Sequence, residues 1–204
     1  MNENVGSKGI YTVGITGASG AVYGVRLVQE LLKQSYQVHL VVTEAAWRVF
    51  KEELLLDTVN RESVIDELFG GYDGQLHTHD LHDYGAPIAS GSYQNDGMII
   101  IPCSMGTLSG IAHGASGNLL ERTADVMLKE GRKLILVPRE TPLNQLHLEN
   151  MLKVSKVGAT VLPAMPGFYH LPKSIDELIH FLVGKALDSL GVKHDLFTRW
   201  GKEQ

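Results

Sequence analysis

Glycine and hydroxyl residues cluster near the start of the chain in a pattern that suits the binding of an anion. The glycines are Gly14, Gly17, Gly20 and Gly24, and Thr16 and Ser19 lie between them. Glycine lets a backbone turn sharply and approach a ligand, and amide groups at the start of a helix favour a negative charge. The spacing is not G-x-G-x-x-G, so the segment predicts a phosphate or mononucleotide site, with a tight packing turn as the alternative. A dinucleotide site, with Glu44 as its ribose-binding acid, is the weaker option.

A second segment of small residues, 102–107, has the sequence PCSMGT. Its hydroxyls and glycine precede a predicted helix, where an anion is again favoured. Glycines at positions 106, 110, 114 and 117 would share one helix face. That face predicts either a thin wall against a flat ligand or a partner subunit, or tight packing within the core. Cys103 could be a nucleophile, but a lone cysteine after a buried strand is more often a small buried apolar residue.

Charged residues follow the same part of the chain. Arg122 and Lys129 lie seven positions apart on a predicted helix and share a face, and Arg139 and Glu140 follow a predicted strand. Such cations could hold a substrate phosphate while the carboxylate moves a proton. The alternative is a solvated helix face and an ordinary surface ion pair, which we favour for Arg122 and Lys129 considered alone.

Histidines and aspartates alternate in the segment HTHDLHD, residues 77–83. Imidazole and carboxylate groups both bind zinc, so a divalent metal site is one interpretation. The segment lies outside the predicted ligand loops. We therefore favour a polar surface loop and expect no metal.

Apolar runs alternate with helical periodicity along the chain. Continuous apolar runs, typical of parallel strands buried on both faces, occur at 11–16, 37–43, 98–102, 133–138 and 159–163. Helical spacing occurs at 21–34, 44–55, 62–68, 104–131, 146–157 and 174–190, the last beginning at a capping box of Ser174 and Glu177. We predict an α/β fold with a single doubly wound parallel sheet and helices on both faces. Ligands then bind at the carboxyl ends of the strands.

The composition fits one globular domain over residues 1–204, with 1–9 as a flexible N-terminus. The formal net charge is −5, whereas a nucleic-acid-binding domain is normally basic. The one cysteine excludes an intrachain disulfide and Cys-rich zinc sites. No apolar run approaches the roughly 20 residues of a membrane helix, and no secretory signal is visible. We therefore expect a cytoplasmic protein.

Seven blocks of sequence, in order from Tyr11 to Trp200, resemble the UbiX family of flavin prenyltransferases, within the wider group of FMN-binding flavodoxin-like proteins. The blocks are TGASGAVYG, PIASGS, PCSMGTLSGIAHG, NLLERTADVMLKE, LVPRETPLNQLHLENMLK, LPAMPGFYHLPKS and RW. The resemblance implies a metal-independent reaction that joins the dimethylallyl group of dimethylallyl phosphate to N5 and C6 of reduced FMN. The prenylated FMN would serve a UbiD-type decarboxylase. A homo-oligomer, commonly a dodecamer with sites at subunit interfaces, is also implied.

The resemblance assigns roles residue by residue. FMN contacts would come from Gly17, Ala18, Ser19, Thr43, Ser104, Met105, Gly106, Thr107 and Arg139. Tyr169 and Lys185 would contact dimethylallyl phosphate, and Arg122, Lys129 and Glu140 fall on phosphate-handling positions. The candidates for moving protons are Glu53, Glu140 and Ser19. Trp200, in the C-terminal tail 191–204, would close the site.

Two departures from the family pattern and two alternative functions accompany this assignment. Lys185 stands where many relatives carry arginine, so the bidentate fork on a phosphate is lost, and Tyr84 stands where a tryptophan often lies beside the flavin. One alternative is an FMN-dependent cysteine decarboxylase of the same fold group. Its Asn-rich motif is missing where this chain has PIASGSY. The other is a non-catalytic flavin-binding accessory subunit of a decarboxylase.

Overall fold

A computed structural model describes residues 8–199 and, over that range, forms one six-stranded parallel sheet. The strands are β1 (Ile10–Ile15), β2 (Gln37–Val42), β3 (Gln75–His79), β4 (Gly97–Cys103), β5 (Leu134–Pro138) and β6 (Thr160–Val161), in the order β3-β2-β1-β4-β5-β6. The helices are α1 (Ala21–Lys33), α2 (Glu44–Glu53), α3 (Arg61–Phe69), α4 (Met105–Ala112), α5 (Leu119–Lys129), α6 (Gln145–Lys156) and α7 (Ile175–Leu190), with a short 3₁₀ helix at Pro87–Ala89. None of these helices is both long and apolar enough to cross a membrane.

Two apolar clusters bury the two faces of the sheet. Helices α1, α2, α3 and α7 pack on one face, and α4, α5 and α6 pack on the other. The central strand β4 is buried along its whole length, which explains its continuous apolar sequence. The predicted fold class, a doubly wound parallel sheet with helices on both faces, is confirmed.

The histidine-rich segment differs from its prediction as a loop. Residues Gln75–His79 form β3, which pairs with β2 at the edge of the sheet. All five of these residues are partly or fully exposed, so the strand has no apolar pattern to announce it. Pairing with β2 holds this strand, and Leu76 is its one apolar residue packed against the core.

The expected alignment of four glycines on one helix face is wrong. Helix α4 ends at Ala112, so Gly114 and Gly117 lie beyond it, and Gly114 has a left-handed φ of 63°. Only Gly106 and Gly110 belong to α4. A Cβ at Gly110 would lie 2.5 Å from a carboxylate oxygen of Glu121, so this glycine lets α4 and α5 approach closely.

The start of α7 keeps half of its predicted capping box. The Ser174 hydroxyl accepts the Glu177 backbone N–H at 3.2 Å. The Glu177 carboxylate instead accepts the backbone N–H of Lys173 at 2.8 Å. Helix α7 therefore starts where the sequence predicts, with Ser174 as its N-cap and with Glu177 bonded to the residue before that cap.

Candidate active site at the carboxyl edge of the sheet

The glycine-rich turn after β1 is shaped by close packing. A Cβ at Gly17 would lie 2.3 Å from the Cβ of Ala45 on α2, and one at Gly24 would lie 2.4 Å from the carbonyl oxygen of Ile101. Gly20 precedes α1 with a left-handed φ of 101°. The structure therefore fits the interpretation of these glycines as a tight packing turn. The missing side chain of Gly17 lets the start of α2 lie against the turn.

Glu53 reaches this turn from the far end of α2. Its Oε2 accepts the backbone N–H groups of Gly20 and Ala21 at 2.9 and 3.2 Å. These amides at the start of α1 are the ones predicted from the sequence to bind an anion. In the structure they donate to a carboxylate of the chain itself. The contact places a carboxylate directly beside Ser19, which no spacing rule predicts because 33 residues separate Glu53 from Gly20.

Arg139 approaches the same turn from β5. Its Nε donates to the carbonyl oxygen of Ser19 at 3.2 Å, and its backbone N–H donates to Cys103 at 3.4 Å. Thr43 closes the other side, because its backbone N–H donates to Ile15 at 3.0 Å and its hydroxyl caps α2. Loops that follow β1, β2, β4 and β5 are thus joined at one edge of the sheet, as the ligand rule predicts.

The loop after β4 begins α4 with a side-chain cap and leaves room beside it. The Ser104 hydroxyl accepts the Thr107 backbone N–H at 3.3 Å and donates to the Thr107 hydroxyl at 3.1 Å. A Cβ at Gly106 would meet no atom within 4 Å. Ala18 and Met105, also predicted ligand contacts, are buried. The amides at the start of α4 therefore border open space, which suits an anionic group.

Arg122 and Lys129 lie together but away from the glycine-rich turn. Arg122 Nε donates to the carbonyl oxygen of Ala89 at 3.2 Å, and its guanidinium pairs with Asp125 at 2.8 Å. Lys129 pairs with Glu130, and its Nζ would lie 2.7 Å from a Cβ at Gly91. Both cations therefore border residues 89–91, as their spacing on α5 requires. Within residues 8–199, no hydrogen bond or ion pair joins either one to the glycine-rich turn.

The remaining predicted residues lie on three different elements. Glu140 adjoins Arg139, and its Oε1 accepts the Thr141 backbone N–H at 3.1 Å. Tyr169 lies in the loop after β6 and is 60% exposed, and its ring packs edge-on against Phe181 of α7. Lys185 is exposed on α7. Trp200 lies outside the described residues, and the described part of the tail packs on α7 through Phe197.

Sequence reasoning missed a buried histidine beside the HTHDLHD segment. The ring of His39 on β2 stacks on those of His77 and His79, with centroids 5.1 and 5.0 Å away, and its Nε2 lies 2.8 Å from the Tyr93 hydroxyl. Burial, together with the two neighbouring imidazoles, lowers the pKa of His39 from 6.5 to about 4. Over residues 8–199, no cluster of three His, Cys, Asp or Glu residues is arranged to hold a metal ion.

Cys103 has the environment of a structural residue. It is buried at the end of β4, and burial raises the pKa of its thiol. A thiol that stays protonated is a poor nucleophile. The interpretation of Cys103 as a small buried apolar residue therefore fits the structure.

A cavity of about 550 Å³ lies elsewhere, between α2, α3, β2 and β3. Trp47, Phe69 and Tyr72 contribute to its wall, and the Arg61–Glu44 ion pair lies at its margin. None of the residues that the family resemblance assigns to the site lines this cavity, although Glu44, the candidate ribose-binding acid, and His79 and Asp80 of the histidine-rich segment do. The cavity therefore adjoins the carboxyl end of β2 but is not lined by the residues proposed to hold FMN.

Comparison with known proteins identifies close relatives. The model of a family described as Flavoprotein matches residues 2–187. A flavin prenyltransferase UbiX of Alkalihalophilus pseudofirmus is 79% identical over 202 residues, which cover 99% of this chain and 100% of that protein. A UbiX crystal structure in complex with FMN and dimethylallyl pyrophosphate has a TM-score of 0.85 and 40% identity, covering 96% of this chain and 98% of that one. A dodecameric FMN-dependent UbiX-like decarboxylase from Escherichia coli has a TM-score of 0.84 and 42% identity, covering 95% and 100%.

Proposed function

This chain belongs to the UbiX family of flavin prenyltransferases, and on that premise we propose that it joins the dimethylallyl group of dimethylallyl phosphate to N5 and C6 of reduced FMN. One observation carries the proposal. The Glu53 carboxylate and the Arg139 guanidinium both contact the turn at Ser19–Ala21, where the loops after β1, β2, β4 and β5 meet. A carboxylate and a cation at one edge suit a reaction that removes a proton and releases a phosphate.

The residues at this edge fit FMN. The open space at Gly106 and the amides at the start of α4 suit the phosphate of FMN, with Thr107 and Ser104 beside it. The proposed contacts are Gly17, Ala18, Ser19, Thr43, Ser104, Met105, Gly106, Thr107 and Arg139. When bound, reduced FMN supplies the nucleophilic N5 and C6 atoms. The Glu53 carboxylate contacts Gly20, the residue that follows Ser19. It is therefore positioned to take a proton from a ligand held against the turn.

The prenyl phosphate needs positive charge around its leaving group. Arg122, Lys129 and Lys185 are the proposed cations, Glu140 is the proposed proton donor, and Tyr169 and Trp200 are the proposed π faces for the allylic cation. Arg122 and Lys129 border residues 89–91 of their own chain, and no described contact ties them to Ser19. We therefore propose that a second copy of the chain supplies them in a homo-oligomer, a dodecamer like the Escherichia coli relative.

The product and its destination follow from the same assignment. We propose that prenylated FMN passes to a UbiD-type decarboxylase, as the family resemblance implies. The chain has one cysteine, Cys103, and therefore no intrachain disulfide, which fits a cytoplasmic location. The C-terminal tail 191–204, carrying Trp200, is the proposed closure of the site.

The test is an anaerobic reaction of the purified protein with reduced FMN and dimethylallyl phosphate. Mass spectrometry should show a flavin heavier by one prenyl group. Glu53→Gln should form this product about a hundredfold more slowly. Glu52→Gln, at the preceding residue of α2, which pairs with Arg48 at the surface, should form it at the normal rate. If the unmodified protein forms no prenylated flavin in this reaction, the proposed function is wrong. If the protein forms the product with dimethylallyl pyrophosphate but not with dimethylallyl phosphate, the proposed prenyl donor is wrong.

A further inference from the structure

Thr16 joins the two loops that are proposed to hold FMN. It follows β1 and is 1% exposed. Its hydroxyl donates to the carbonyl oxygen of Pro102 at 2.8 Å and accepts the backbone N–H of Ser104 at 2.7 Å. One side chain thus satisfies an acceptor and a donor on the loop that leads into α4.

The hydroxyl takes over where the backbone ladder stops. The paired residues of β1 and β4 end at Gly14 and Ile100. Beyond that point the Thr16 backbone N–H makes a longer contact of 3.3 Å to Pro102, and the Thr16 side chain makes the shorter bonds. This hydroxyl therefore ties the residue after β1 directly to the start of α4.

The Ser104 hydroxyl is already committed to Thr107 at the start of α4. The backbone N–H of Ser104 donates to the Thr16 hydroxyl. This one residue therefore links the first turn of α4 to the turn at Gly17. A ligand that touches both loops needs their separation fixed to a fraction of an ångström.

We propose that Thr16 is a positioning residue for FMN, acting through the backbone of Pro102 and Ser104 and not by touching the flavin. This role rests on the proposed function. Valine has the shape of threonine but its side chain neither donates nor accepts. Thr16→Val therefore removes the partner of the Ser104 backbone N–H, leaves the Pro102 carbonyl with only the 3.3 Å contact to the Thr16 backbone N–H, and lets the loops shift. Serine keeps the hydroxyl, so Thr16→Ser should keep the two loops in register.

Thr12 provides a matched control on the same strand. It is 0% exposed, and its hydroxyl accepts a hydrogen bond from Asn95 Nδ2 at 2.6 Å. Thr12 lies within β1, remote from the carboxyl edge, and pairs with Met98. Thr12→Val therefore removes a buried hydroxyl bond of the same kind without touching either proposed FMN loop.

The experiment compares the dissociation constant for FMN and the urea midpoint of unfolding in the unmodified protein and the three variants. Thr16→Val should weaken FMN binding about tenfold or more, while Thr16→Ser stays within about threefold. Thr12→Val should lower the urea midpoint like Thr16→Val but keep the FMN dissociation constant within about threefold. In turnover, Thr16→Val should raise KM for FMN more than it lowers kcat.

Equal FMN affinity of Thr16→Val and Thr12→Val would overturn the positioning role while leaving the proposed function standing. Failure of the unmodified protein to bind FMN would overturn both. If Thr16→Val does not fold, Thr16→Cys replaces it under the same criterion, because a thiol is similar in size and a weak hydrogen-bonding group.

Discussion

Acidification should destabilise this fold through His39, and the size of the effect follows from its surroundings. His39 is 3% exposed, stacks on His77 and His79, and lies 2.7 Å from His79 Nε2 through its Nδ1. A charged imidazole there would be desolvated and would face two further imidazoles, so its pKa falls from 6.5 to about 4. Tyr93 and Gln37 complete the polar contacts of its ring.

The sign and magnitude come from proton linkage. Between about pH 6.5 and about pH 4 the unfolded chain binds a proton at His39 that the folded chain does not, so the free energy of unfolding falls as the pH falls. The full shift corresponds to about 3 kcal/mol. Water near the exposed His77 screens part of the repulsion, so we expect a loss of about 2 kcal/mol from this residue.

Urea unfolding at about pH 7 and about pH 4.5, followed by circular dichroism, measures this loss. His39→Gln should be less stable at neutral pH but should lose about 2 kcal/mol less than the unmodified protein on acidification. Thr12→Val, destabilised without loss of a titratable group, should keep the full pH dependence. If His39→Gln and the unmodified protein lose the same amount, the assignment of acid sensitivity to His39 is refuted.

Three further predictions concern the carboxyl edge of the sheet. Gly17→Ala places a Cβ 2.3 Å from that of Ala45, so FMN affinity measured by fluorescence should fall about tenfold or more, while Gly71→Ala, which meets no atom within 4 Å, should leave it unchanged. Glu53→Gln should bind FMN but form prenylated flavin about a hundredfold more slowly in a timed anaerobic assay, and a normal rate would exclude Glu53 as the base. Native Cys103 should resist iodoacetamide in a mass assay and Cys103→Ala should retain most turnover, because burial raises the pKa of the thiol; rapid labelling of the folded protein would contradict this.

The central strands could be predicted from the sequence, because burial on both faces demands apolar residues at every position. Strand β4 is buried from Gly97 to Cys103, and the run MIIIP predicts it directly. The edge strand β3 could not be predicted in this way. Its position depends on pairing with β2, where His39 opposes His77, and a contact between strands 38 residues apart leaves no local pattern.

Helical periodicity gives a wrong prediction for the later glycines for a related reason. Positions 106, 110, 114 and 117 fit one helix face only if the helix continues, but Gly114 adopts a left-handed φ that α-helices exclude. Glycine permits both conformations, so its spacing alone does not show where a helix ends. Helix α4 ends at its C-cap, His113, and α5 starts at its N-cap, Asn118, and the hydrogen bonds of both caps are visible only in the structure.

The proposed site contains contacts that spacing can predict and contacts that it cannot. Ser104 and Arg139 follow strands, so the rule for parallel sheets places them at the ligand edge. Glu53 follows no strand, and only the resemblance to a known family pointed to it. Its contact with Gly20 arises because α2 begins beside Gly17 and carries Glu53, its last residue, within reach of the start of α1.

Packing and ligand binding at the glycine-rich turn are therefore not alternatives. The missing side chain of Gly17 admits Ala45 and so lets α2 begin against the turn. With α2 in that position, its last residue, Glu53, reaches the amides of Gly20 and Ala21. A larger residue at position 17 would displace α2 and move the carboxylate with it. The glycine is needed for the approach of a helix, and that approach delivers the charged group on which the proposed chemistry depends.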